Sequence, residues 1–163
     1  MRPSSRPDHW RSVQRRGEGG AFDSEQCVQI GLPVVESSEA GAHRLGTEYW
    51  LALTAWSRGV VQFRERPDGV DLRLFRGGPA LLRLGPAEVA AGEHGVTCRY
   101  PVRGGLLARR AEGALRLSQS GNDLCTLVTG FFPRVALYLL VQRRIHVAVS
   151  RRYFARLIAE SRR

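Results

Sequence analysis

The sequence predicts an α+β fold, a curved antiparallel sheet of about six or seven strands packed on a long C-terminal helix. Three observations predict it. Residues 60–75 read VVQFRERPDGVDLRLF, two alternating runs around the turn triplet Pro67-Asp68-Gly69. Further short β-prone runs, separated by Gly-containing turns, continue as far as Phe132. From Arg134 to Glu160 there is neither Gly nor Pro, so nothing breaks a helix there.

Taken in order, residues 1–24 are rich in Arg, Ser, Pro and Gly and read as a disordered basic tail. This leaves residues 25–163 as a single α+β domain. CVQIGLPVV, from Cys27, is a short strand that Pro33 confines to an edge or an end. ESSEAGAHRLG can make a helical turn. In GTEYWLALTAWSRG, Thr47 can cap a helix, Tyr49, Leu53 and Trp56 share one face, and Gly59 can end it. In the hairpin, Val70, Leu72 and Leu74 take one face, and Asp71 and Arg73 the solvated one. ALLRL, GVTCRYPVR, GLLAR, GALRLSQS and LCTLVTGFF then follow as a meander of antiparallel neighbours.

The last helix is apolar over much of its early circumference and amphipathic towards its end. Leu139, Leu140, His146, Val147, Tyr153, Phe154, Leu157 and Ile158 cluster on one broad side. Arg144 and Arg151 lie on a narrow opposite side, and Arg152 and Arg156 near a second polar edge. A free nucleic-acid arm has no need of so many aliphatic residues. The segment therefore reads as a core element with a basic wet side.

Composition sets further bounds. The chain has 163 residues and a net charge of +10, and all 25 of its basic residues are arginine. The excess sits at the ends: residues 1–16 carry +4, residues 134–163 carry +7, and the middle is −1. Such ends attract an anionic membrane surface or, less readily, nucleic acid, with Arg144, Arg151, Arg152 and Arg156 as the anion contacts. Three distant cysteines, Cys27, Cys98 and Cys125, form no C-x-x-C pair and read as reduced and buried. With no apolar leader in the first 20 residues and no long apolar run, the sequence points to a cytoplasmic protein.

Catalytic signatures are missing. There is no P-loop, no G-x-S-x-G elbow and no His or Cys pair at metal-ligand spacing. The polar residues that can face a cavity are His146 and Tyr153, seven apart on the last helix, and Tyr100 and Arg103 on the CRYPVR strand. They would act as isolated polar handles on an apolar wall.

The order strand, short helices, meander, long last helix resembles the helix-grip fold of the START-like superfamily, which includes the Bet v 1 and polyketide-cyclase-like proteins. The likeness spans roughly residues 27–160 and rests on element order and on GFFPRVALYLLVQRRIHVAVSRRYFARLIA, a final strand running through Phe-Pro-Arg into the helix. It implies a curved sheet wrapping the last helix around an apolar cavity, with ligand or lipid binding as the usual activity and cyclases as a minority; the sequence itself marks no cofactor site. The partner would be an apolar or amphipathic small molecule. Two other functions remain open. One is a cyclase or isomerase in the same cavity, using His146, Tyr153 or Tyr100 for proton transfer. The other is a peripheral protein that docks through its basic ends.

Overall fold

The computed structural model describes residues 10–134 and 136–163, and for residues 136–142 the backbone alone. The strands are β1 (Trp10–Arg16), β2 (Phe22–Gln29), β3 (Val61–Arg66), β4 (Gly69–Leu74), β5 (Ala80–Leu84), β6 (Glu88–Gly92), β7 (Gly95–Gly104), β8 (Ala114–Ser120) and β9 (Asp123–Phe131). The helices are α1 (Glu39–Trp56) and α2 (Ala136–Ser161). Every strand pairing is antiparallel, in the order β1-β2-β9-β8-β7-β5-β4-β3, with β6 also on β7. The fold is thus α+β with the last helix C-terminal, and the sheet has nine strands among the described residues rather than six or seven.

Topology follows from α1. It carries the chain from β2 to β3 at the far edge, and the meander then returns strand by strand until β9 lies beside β2. The register places Tyr100 opposite Leu115 and Cys98 opposite Leu117, and Leu117 opposite Thr126. One face of the sheet is therefore a continuous row, and both helices pack on it. α1 lies on β3, β6, β7 and β8, and α2 lies against α1 and β2. The core between them holds Val96, Leu117 and Leu124 from the sheet, Leu45 and Trp50 from α1, and Tyr153, Phe154 and Leu157 from α2.

The helix expected at 47–59 begins earlier. Ser38 is its N-cap, its hydroxyl accepting from the Gly41 amide at 3.1 Å. Gly46 weakens the helical signal locally, but a Cβ there would collide with the Tyr100 hydroxyl. Glycine lets the helix sit directly on β7.

The basic tail is corrected for residues 10–24. Trp10–Arg16 is an edge strand in full register with β2, from Trp10 opposite Val28 to Arg16 opposite Phe22. Trp10 anchors it, its ring 5.4 Å from that of Phe154. Its arginines suit an edge, where charge discourages pairing with further chains. Residues 1–9 lie outside the described residues.

Two strand assignments also change. GLLAR is a loop: Gly104 and Gly105 take φ of 152° and 113°, and the Leu106 and Leu107 amides bond to the Ala80 and Leu81 carbonyls. The Ala-rich EVAAG, with little β-propensity of its own, is β6, held by its register with β7.

Asp71 is not solvated but wholly buried. Arg66 and Arg73 cover it, at 3.4 and 3.3 Å.

Cys27 and Cys125 face each other across β2 and β9, with Cα atoms 4.2 Å apart, and are joined as a disulfide. Only Cys98 is free, and it is buried. The expectation of three reduced cysteines is therefore wrong, because register rather than sequence distance decides which thiols meet. Among the described residues no helix is long and apolar enough to cross a membrane.

Candidate functional site: an apolar cavity between the sheet and both helices

The sheet and the two helices do not close completely on one another. Between them lies a cavity of about 290 Å3, near the lower end of the range for small-molecule sites. α1 contributes Tyr49, Leu53 and Trp56, the face marked by the spacing of the sequence, and Trp50 beside them. Leu72, Leu82 and Leu84 come from β4 and β5, Leu115 and Val128 from β8 and β9, and Ile145, His146 and Val149 from α2. No carboxylate or guanidinium is among the described lining residues.

His146 is the polar exception. It is buried, and its Nδ1 is 2.9 Å from the Ser24 hydroxyl of β2. Ser24 Oγ also accepts from Gln26 Nε2 at 3.3 Å. Ser24 Oγ has two lone pairs, so either partner of the Ser24–His146 contact can be the donor, according to the imidazole tautomer. Nε2 has no hydrogen-bond partner among the described residues. Burial lowers the His146 pKa from 6.5 to about 4, so the ring is neutral near pH 7. One turn on, Ser150 of α2 meets Thr126 of β9 at 2.7 Å. α2 is thus seated on β2 and β9 partly by a buried polar seam.

Of the four polar handles expected from the sequence, only His146 reaches the cavity wall. Tyr100 is buried under Gly46, its ring 5.0 Å from Trp50 in an edge contact, and burial pushes its hydroxyl pKa up. Tyr153 stands behind Tyr49, ring centres 5.4 Å apart, and burial again raises its pKa. Arg103 is exposed at the end of β7, with Nε beside Gly85. Ser24 and Trp50 carried no sequence signal: a serine in a strand and a tryptophan in a helix look alike wherever they face.

The arginines of α2 do not form one free basic face. Arg156 bonds Glu48 at 3.0 Å, and Arg151 lies over the Trp10 ring at 5.2 Å. Arg144 and Arg152 are exposed. No group of three His, Cys, Asp or Glu among the described residues could hold a metal ion.

Fold and site together define an α+β protein with an internal apolar cavity. No family model, no curated protein and no solved structure matches the chain.

Proposed function

We propose that this protein binds an apolar or amphipathic small molecule in the cavity, without evident catalysis, and that it is a distant helix-grip protein of the START-like kind. The observation that carries the reading is the cavity itself, lined by large side chains from the sheet and both helices. Its wall favours an uncharged occupant, since an ion buried there would find no partner. The neutral His146 supplies one polar handle. The place of β9 beside β2, with α2 across them, supports the helix-grip assignment.

Native mass spectrometry of gently purified protein, compared with its denatured mass, tests this. An added mass lost on denaturation is the expected result. Denatured and native masses that agree, together with no uptake of an apolar fluorescent probe by the delipidated protein, would sink the reading.

A further inference from the structure

Four large apolar side chains are conspicuously exposed among the described residues: Leu32, Val60, Phe75 and Leu106. Three of them lie at one end of the sheet, Val60 and Phe75 as neighbours and Leu106 farther across. The Phe75 amide donates to the Val60 carbonyl at 2.7 Å, and the Leu106 amide to the Ala80 carbonyl at 3.1 Å. Val60 is 38% exposed, Phe75 57% and Leu106 52%.

Part of the cavity wall lies near this end. Trp56, Val61, Leu81 and Leu107 line the cavity and are only half-buried. Val60 directly precedes Val61, and Leu106 directly precedes Leu107. Val60, Phe75 and Leu106 are not themselves among the cavity-lining residues; Phe75 lies beside Gln62, Arg64, Arg73 and Arg76.

Two residues other than glycine adopt left-handed backbone among the described residues: Arg58, φ 53°, and Phe75, φ 54°. Both sit at this end. Phe75 holds an unfavourable conformation for an aromatic residue, in a turn that leaves its ring in solvent.

The charge around the trio is positive. Arg58 and Arg76 are exposed, with no partner among the described residues. Arg134 is also exposed, and its amide bonds to the Leu107 carbonyl at 3.0 Å. Arg109 and Arg110 lie over the Phe132 ring, at 5.9 and 4.4 Å. One acid, Glu112, shares their loop.

We propose that this end docks on an anionic lipid bilayer, with Val60, Phe75 and Leu106 entering the acyl boundary and the surrounding arginines on the headgroups. Apolar tips ringed by cations suit an interface that is apolar below and anionic above. A nucleic acid would use the arginines but gain little from Val60 and Leu106, which offer its bases no stacking surface. The contact lies at this end of the sheet, not at the basic chain ends. The docking does not rest on the proposed ligand binding.

The test is co-sedimentation of the full chain with phosphatidylcholine vesicles, with and without phosphatidylserine. The protein should pellet with the anionic vesicles and much less with the neutral ones. Phe75→Asn combined with Leu106→Ser should weaken vesicle binding at least five-fold with an unchanged melting curve, since both side chains are exposed and Asn tolerates the left-handed backbone. Arg76→Glu should reduce the preference for anionic vesicles, and Leu32→Ser should change nothing. No vesicle binding, or binding lost through Arg162→Glu and Arg163→Glu while the loop variants bind normally, overturns the proposal. So does selective displacement from vesicles by a single-stranded oligonucleotide at equal phosphate. Probe uptake by vesicle-free protein is read separately, so failure of docking and failure of the cavity reading are distinguishable.

Discussion

The Ser24 hydroxyl lies 2.9 Å from Nδ1 of His146 and joins β2 to α2 across 122 positions of sequence. Near pH 7 the buried imidazole in this contact is neutral. Folding holds the His146 pKa near 4 against 6.5 for the free side chain, so between those values the unfolded chain binds more protons. Stability is fully present above about pH 6.5 and falls as pH drops through this window, by roughly 3 kcal/mol at most. Urea unfolding from pH 7.5 to 4 should show this loss. His146→Gln should flatten its share of the pH dependence while lowering stability at pH 7.

Filling the cavity should separate binding from stability. Val128→Phe adds bulk at the wall and should lower affinity for an apolar probe about ten-fold or more. Its melting temperature should shift by only a few degrees, because the added atoms enter empty space. Leu117→Ala, in the packed interior, should instead cost about 2–5 kcal/mol. Probe titration and thermal melts on the two variants check the contrast.

Gly46→Ala tests the contact between α1 and β7. Helix propensity alone favours alanine by about 1 kcal/mol. Collision of the new Cβ with the Tyr100 hydroxyl should reverse the sign, with a net loss of about 1–3 kcal/mol. Tyr100→Phe in the same chain removes the colliding oxygen and should recover part of it. A double-mutant cycle without coupling would place the cost elsewhere.

The Cys27–Cys125 bridge closes a separation of 98 residues. Reduction should lower stability by about 2–5 kcal/mol, seen as a lower urea midpoint in dithiothreitol. Alkylation of the unreduced protein should label Cys98 only after unfolding. Labelling of three thiols without reductant would mean that the bridge does not form in solution.

Local chemistry made part of this legible. A segment free of Gly and Pro had to be a helix once it could pack, and the spacing of Tyr49, Leu53 and Trp56 marked the face that lines the cavity. Pro67-Asp68-Gly69 fixed the β3–β4 turn. His146 stood out as the imidazole on an apolar side. These signals are encoded within a turn or two of chain, where neighbours are set by helical or strand periodicity.

The tertiary structure decided what depends on partners far along the chain. Only β2 makes Trp10–Arg16 a strand, and only β7 makes one of Glu88–Gly92. Register brought Cys27 to Cys125 and buried Asp71 between two arginines. Val60, Phe75 and Leu106 read as three scattered residues until sheet pairing gathered them at one end. A single sequence determines the periodicity of its elements; which faces then meet is set by long-range pairing and packing, whose energies no local window contains.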